Sequence, residues 1–476
     1  MTGIEDTIAA VSTPPGSGGI AVIRISGGGA IAIADSVFVG SQRLREAVSH
    51  KAYLGKIVDH SSRERDAVPV EENVLDQSVV TVFRAPHSYT KEDVVEISCH
   101  GGRFLSFRIL ELILLNGARL AEAGEFTQRA FLNGRLDLAQ AEAVADLIRA
   151  KTEASLKSAM AQFQGVLSKQ VKQMRQDLVE ICSLLELELD FAEEDIEFAN
   201  KEEVEARLRR IISDIEQFLD TYDRCQILRE GAKVVILGKP NVGKSSLLNA
   251  FLKEERAIVT EVPGTTRDTL EEQLDIRGVF FRVVDTAGVR ETRDSIELEG
   301  VQRTYRQTSE ADIILILLDG SQPLDQEDRM LAEHVRSLRP ETNGKAVLVA
   351  INKRDLETKL TRQAAAELVR TDEIVEISAK EHLGLKGLEQ ALVQAALGTE
   401  GVSVSEPMVG NLRQKQALER ALVALHHALE SLGGQLSGEF VALDLREALH
   451  SLGEIIGEVT TEDILSNIFS KFCIGK

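Results

Sequence analysis

Gly238-Lys239-Pro240-Asn241-Val242-Gly243-Lys244-Ser245-Ser246 is the stretch around which the chain is read. Up to Ser245 it fits G-x-x-x-x-G-K-[ST] without a gap. The run Lys233-Val234-Val235-Ile236-Leu237 before it is apolar, β-branched and of strand length; Ser246-Leu247-Leu248-Asn249-Ala250-Phe251 after it reads as a helix start. Such a loop lets backbone N–H groups approach phosphate oxygens, and the helix N-terminus adds the positive end of a dipole. Lys244 then reaches the β/γ-phosphates and the Ser245 hydroxyl faces Mg²⁺. A glycine-rich turn ahead of a helix would look similar, so the reading depends on the motifs farther along the chain.

Those motifs narrow an NTPase to a GTPase. Gly264-Thr265-Thr266-Arg267-Asp268 supplies a threonine, Thr266, able to bind Mg²⁺ when the γ-phosphate is present. Asp285-Thr286-Ala287-Gly288 follows the strand Phe281–Val284; its Asp serves the Mg²⁺ shell and its Gly offers an N–H to the γ-phosphate. Asn352-Lys353-Arg354-Asp355 ends the strand Ala346–Ile351, and Asp355 can accept from guanine N1–H and the 2-amino group. Adenine lacks that pair of donors, so a site built for it rejects the wrong base strongly. Ser378-Ala379-Lys380 closes the base pocket after the strand Ile374–Ile377.

The 476 residues suffice for about three domains at ~150 each. Acidic residues number 76 against 55 Lys and Arg, a net charge of −21, so an RNA partner needs a local basic patch or a partner protein. Trp is absent and aromatics are 4%, which suits a helix-rich chain cored by aliphatic residues. The cysteines Cys99, Cys182, Cys225 and Cys473 show no zinc spacing, and a reducing compartment is expected. The acidic start is unlike a signal or transit peptide, and no apolar run spans a bilayer, so a soluble, cytoplasmic protein with no membrane partner is expected.

Residues 1 to about 120 read as α+β: a strand Ile20–Ile25 after the turn-rich Thr13–Gly19, and a strand Val94–Cys99 followed by a helix through Leu115. Cys99 and His100 are adjacent on a strand and point to opposite faces, so they read as a core thiol and a turn histidine. From Gly124 the period becomes helical: Leu136, Ala139, Ala143, Leu147; Val171, Met174, Leu178, Ile181; Val204, Leu208, Ile211, Ile215, Leu219, Tyr222. The acidic run Asp190–Glu197 reads as a solvated loop. Helical stripes resume after a linker at 401–407, through Leu418, Leu422, Leu425, Leu429 and Val441, Leu445, Leu449, Leu452, Ile456. Helices on both sides of the nucleotide domain most simply pack on one another; two separate bundles would also fit. Gly475 and Lys476 after Cys473 argue against a prenylation signal.

With these residues in view the chain resembles the MnmE (TrmE) family of tRNA-modification GTPases along its whole length. The resemblance rests on Thr13-Pro14-Pro15-Gly16, Arg24-Ile25-Ser26-Gly27, Tyr89-Thr90-Lys91-Glu92-Asp93, His100-Gly101-Gly102, Gly124-Glu125-Phe126-Thr127-Gln128-Arg129-Ala130-Phe131-Leu132-Asn133-Gly134, the nucleotide motifs and the final Cys473-Ile474-Gly475-Lys476. Lys91 stands where the family usually has Gly. The implied fold is an α+β N-terminal folate-binding-type domain (1–120), an all-α helical domain (121–230 and 398–476) and an inserted Ras-like α/β P-loop GTPase domain (231–397). The resemblance implies a homodimer formed through the N-terminal domain. It implies work with the FAD protein MnmG (GidA) to add an aminomethyl or carboxymethylaminomethyl group to C5 of the wobble uridine of certain tRNAs. A 5-formyl- or methylenetetrahydrofolate would meet Arg24, Glu96, Arg135 and Lys476.

The family also implies how the GTPase works without the usual glutamine, since Val289 follows Gly288. Nucleotide domains pair around a bound K⁺ held by Asn241 and by oxygens of the loop Thr260-Glu261-Val262-Pro263-Gly264-Thr265, including the Val262 carbonyl; Glu297 orients the water. Cys473 is a candidate thiol for the modification chemistry. A regulatory switch GTPase is the competing reading, and a folate-type N-terminal domain, which a pure switch does not need, separates the two. A structural helical scaffold leaves the nucleotide motifs unexplained.

Overall fold

The computed structural model describes residues 6–60, 73–190, 201–254, 271–285, 307–338, 346–398, 408–434 and 438–475. The chain divides into two compact units, residues 1–145 with 450–476, and residues 146–449.

The first unit holds β1 (Ile8–Val11), β2 (Ile20–Ser26), α1 (Ala30–Val37), β3 (Phe38–Gly40), β4 (Lys51–Val58), β5 (Val74–Phe83), β6 (Val94–His100), α2 (Arg103–Leu115), β7 (Arg119–Leu120) and α3 (Glu125–Leu132); α4 (Leu138–Arg149) leads into the second. The strands form one sheet in the order β3-β4-β5-β6-β2-β1-β7, antiparallel except for β1 with β7. Period-two patterning dictates its two faces. Ala21, Ile23 and Ile25 of β2 and Val95, Ile97 and Cys99 of β6 share one core with Ile31 and Ala34 of α1 and Ile109 and Ile113 of α2. Arg24 and Glu96, directly opposite each other in register, therefore fall on the other face.

The second unit adds α5 (Glu153–Phe163), α6 (Val166–Asp190), α7 (Lys201–Glu230), β8 (Ala232–Leu237), α8 (Lys244–Glu254), β9 (Glu271–Ile276), β10 (Val279–Asp285), β11 (Ile313–Asp319), α9 (Gln326–Leu338), β12 (Ala346–Asn352), α10 (Arg362–Val369), β13 (Ile374–Glu376), α11 (Leu385–Leu397) and α12 (Leu412–Gly433). α13 (Gly438–Ile456) returns to the first unit, which ends with α14 (Glu462–Phe469). The sheet order β13-β12-β11-β8-β10-β9 is parallel but for the β9–β10 hairpin. Its central strands β8, β11 and β12 are near-continuous apolar runs because helices cover both faces, giving one core around Val234, Ile236, Leu315 and Leu388 and another around Val235, Leu237, Ile316 and Val349.

The helices flanking the α/β fold pack on one another, as the simpler sequence expectation has it. Gln162 Nε2 of α5 donates to Met408 O at 3.1 Å, Val409 N to Thr221 Oγ1 of α7 at 3.1 Å, and Lys415 Nζ of α12 lies 4.5 Å from the Tyr222 ring centroid. The α/β fold is thus inserted in a helical one. Val204, Leu208, Ile211 and Ile215 are buried as their spacing predicts, but beyond them the stripe runs through Phe218, Cys225 and Leu228, leaving Leu219 and Tyr222 half-buried. On α12, alanines 417, 421, 424 and 428 form the buried seam with Leu418 and Leu425, and Leu422 and Leu429 lie at its margin.

Candidate functional site

In an open α/β sheet the crevice lies where strand order reverses, at the carboxyl ends of the strands. Here that point is β8, flanked by β10 and β11, and the loop Gly238–Gly243 leaves its carboxyl end to start α8. Asn241 takes a left-handed φ of 62° and its side chain is exposed. Gly243 has φ 103°, and a Cβ there would stand 2.2 Å from Asn352 Nδ2. No other residue fits that position. Lys244 is buried at its base, with Nζ donating to the Gly238 and Lys239 carbonyls, the latter at 3.0 Å, while the Ser245 and Ser246 side chains are exposed.

Asn352 joins the halves of the site. Its Nδ2 donates to Val242 O at 2.7 Å and its Oδ1 accepts from Ala379 N at 2.9 Å, so one buried amide locks the phosphate loop to the Ser378-Ala379-Lys380 loop. Lys353, at φ 67°, donates to Asp319 Oδ2 at 2.6 Å. Burial raises the Asp319 carboxyl, but Lys353 and Ser321 outweigh it and hold it below the usual range. Ser378 Oγ donates to Asp355 Oδ1 at 2.6 Å, which keeps that exposed carboxylate ionised and lowers its pKa. Asp355 is thereby presented as an acceptor. Lys380 is exposed at the end of this loop. Asp285 closes β10, in register with Ile236 of β8, at the same sheet end. Thr260, Glu261, Val262, Pro263, Gly264, Thr265, Thr266, Thr286, Ala287, Gly288, Glu297 and Lys476 lie outside the described residues, as does the acidic run beyond Asp190.

A second cluster forms on the other face of the first unit's sheet, where Ile8 and Ala10 of β1 pack with Phe126 of α3. Arg24 meets Glu96 Oε1 through Nε at 2.9 Å and Nη2 at 2.7 Å. The Arg24 guanidinium carbon is 5.2 Å and that of Arg135 is 5.4 Å from the Tyr89 ring centroid. Arg135 also donates to Ser88 O, and Tyr89 OH pairs with Thr127 Oγ1 at 3.0 Å. Residues 24, 96 and 135 therefore converge, and they do so around Tyr89, whose motif is plain in the sequence but whose task is not. Lys91 adopts φ 59°, the left-handed region that favours glycine, and Nζ donates to Gly134 O at 2.9 Å. The backbone shape that glycine serves is kept here at the cost of some strain. The C-terminal tail pairs through Ile474 with Ala123, and Ser12 Oγ donates to Gly475 O at 3.0 Å, so it ends beside β1, the neighbour of β2. Cys473 is exposed.

Cys99 and His100 do not form a pair. Burial, and then the Asp76 charge, push the Cys99 thiol up to about 11, and its Sγ points at Ala21 O at 3.5 Å. His100 Nδ1 instead meets Asp76 Oδ1 at 2.7 Å. Among the described residues no helix is long and apolar enough to cross a membrane.

A family model described as the MnmE helical domain matches residues 138–473, and one described as the GTP-binding protein TrmE N-terminus matches residues 7–135. The tRNA modification GTPase MnmE of Alkaliphilus metalliredigens is 44% identical over 475 residues, 99% of this chain and 100% of that protein. That of Carboxydothermus hydrogenoformans is 44% identical over 476 residues, at the same coverages. A solved structure of Aquifex aeolicus Era bound to GDP and aluminium fluoride is 27% identical over 40% of this chain and 66% of its own, with a TM-score of 0.27; the fold rests on the strand order above and not on that match. Matched end to end by these relatives and by both family models, the chain belongs to the MnmE (TrmE) family of tRNA modification GTPases.

Proposed function

We propose that this chain is a K⁺-stimulated GTPase, activated by pairing of its nucleotide domains. In this reading it works as a homodimer in the cytoplasm with the FAD protein MnmG, adding an aminomethyl or carboxymethylaminomethyl group to C5 of the wobble uridine of certain tRNAs. The observation that carries the nucleotide half is the Asn352 amide, which fixes the phosphate loop and the base loop relative to each other. Asp355 accepts from the guanine edge, Lys244 binds the β/γ-phosphates, and loop amides cradle them. The exposed Ser245 hydroxyl suits Mg²⁺, with Thr266 as its second side-chain ligand and Asp285 in the outer shell. Glu297 holds the attacking water. The exposed Asn241 side chain, set on a left-handed backbone, suits an oxygen donor to K⁺, joined by oxygens of Thr260, Val262 and Thr265. When bound, that ion supplies the fixed positive charge that an arginine finger supplies elsewhere.

The Arg24, Glu96, Arg135 and Tyr89 cluster suits a reduced folate: the carboxylate accepts from pterin N–H groups, the guanidiniums meet carboxylates, and the ring offers a stacking face. In this reading Lys476 is a further folate contact and Cys473 a thiol for the modification chemistry. The three-part division, 1–120, 121–230 with 398–476, and 231–397, assigns folate binding, scaffolding and hydrolysis respectively. The test is steady-state GTP turnover in matched KCl and NaCl. Wild type should be faster in KCl, Asn241→Ala should lose that difference while still binding GDP, and equal wild-type rates in the two salts would refute the cation mechanism.

A further inference from the structure

The β9–β10 hairpin is bounded at both ends by the motifs that read the γ-phosphate. β9 starts at Glu271, just after Gly264–Asp268, and β10 ends at Asp285, the first residue of Asp285–Gly288. The strands are paired from Glu271↔Val284 to Ile276↔Val279, and β10 is itself paired with β8 from Phe281↔Ala232 to Asp285↔Ile236, so the two motifs are joined by one continuous ladder. Its seat is the helical part of the same unit. Phe280 is buried with Lys151 Nζ 4.4 Å from its ring centroid, and Lys151, which joins α4 to α5, also donates to Gln273 Oε1 at 3.4 Å. Gly231, which joins α7 to β8, packs against the same ring: with φ 88°, a Cβ there would stand 2.3 Å from Phe280 Cδ1.

Two residues earlier, Arg229 pairs with Asp146 at 3.1 Å and donates to Gly410 O at 2.7 Å. The end of α7 is thereby fastened both to α4 and to the segment that resumes after the nucleotide fold. Beside it lies a cleft of about 160 Å³ lined by Arg149, Ser158, Gln162, Cys225 and Arg229. Close-packed contacts transmit displacement, and incomplete packing next to them leaves room for it.

Resting on the GTPase reading above, we propose that the β9–β10 hairpin is the lever that carries nucleotide state into the helical domain. Lys151 is its positioning residue, holding Phe280 against Gly231 so that a shift at either motif moves α5 and the end of α7. A merely adhesive contact would change stability and leave the nucleotide response intact. The test is hydrogen exchange of the full chain in KCl and Mg²⁺, with GDP and with GDP–aluminium fluoride, read on residues 153–163 and 218–230. Wild type should show a difference between the two ligands in both segments. Lys151→Met should shrink that difference about two- to fivefold, the reach of one exposed cation–π contact, with GDP affinity unchanged. Lys151→Arg, which keeps the cation over the ring, should restore it. A wild type that binds both ligands without a difference, or a Lys151→Met variant that keeps it in full, would overturn the lever. Failure of wild type to bind GDP at all would overturn the GTPase reading, and the lever with it.

Discussion

At the scale of single residues, the proposed base pocket depends on a carboxylate held ready by a hydroxyl. The Ser378 hydrogen bond keeps Asp355 ionised, so its two oxygens only accept. Replacing Asp355 with Asn sets an amide donor against the guanine 2-amino group, where xanthine instead offers an accepting C2 carbonyl. Two hydrogen bonds to a charged group, at about 1.5–3 kcal/mol each, give a loss of GTP affinity of roughly 10²-fold or more. Competition between GTP and XTP measures it, and unchanged preference would mean that Asp355 does not face the base. Asn352→Ala should act differently, because it strands Val242 O and Ala379 N in a buried place at about 1–3 kcal/mol each. Both GDP affinity and the urea midpoint should fall. In the first unit, Arg24→Ala or Glu96→Ala should abolish tetrahydrofolate binding in an equilibrium titration while GTP turnover in KCl survives. Equal loss of both activities would point to misfolding. The motif positions were legible in the sequence, as was the separation of Cys99 from His100. The Asn352 bridge was not, since nothing in a four-residue motif says which carbonyl its amide will find.

At the scale of elements, α3 shows how a charged motif becomes structure. Arg129 is fully buried and meets Asp6 at 2.6 Å, Glu125 at 2.9 Å and Glu92 at 3.3 Å, while Arg119 pairs with Glu125 at 2.6 Å and Asp6 at 2.7 Å. Burial raises the Glu125 and Asp6 carboxyls, yet the two arginines outweigh it and hold both below their usual range. A carboxyl lowered in the folded state stabilises above its unfolded pKa, about 4.3 for Glu and 3.9 for Asp, and that gain is lost as pH falls through the folded value. Amide protection in residues 125–132, taken relative to the intrinsic exchange rate at each pH, should therefore fall progressively below about pH 4, and Glu125→Gln should flatten that dependence. Arg129→Met, which takes a buried cationic partner from Asp6, Glu92 and Glu125 while Arg119 still serves Asp6 and Glu125, should cost about 3–5 kcal/mol in a urea titration. From sequence these charges read only as part of a family signature. The strands beside the nucleotide motifs were legible from their apolar, β-branched runs. β11 carries the same signal but no motif to mark it, and β4 and β5 mix exposed polar positions with buried ones, so pattern alone does not single them out.

At the scale of the whole molecule, the two proposed sites fall in different units of a chain of net charge −21. The proposed guanine site lies in the unit of residues 146–449 and the proposed folate cluster in the unit of residues 1–145 and 450–476. The insertion was legible because apolar stripes on both sides of the nucleotide domain needed partners, and the packing of α12 on α7 provides them. In the proposed function both sites are needed for one product. The direct measurement is nucleoside analysis of tRNA from cells lacking this chain and supplied with wild type, Lys244→Ala or Arg24→Ala. Wild type should restore the C5-modified wobble uridine, and each variant should fail although the folded protein accumulates. Restoration by either variant, or a full level of the modified uridine in cells without the chain, would contradict that joint requirement.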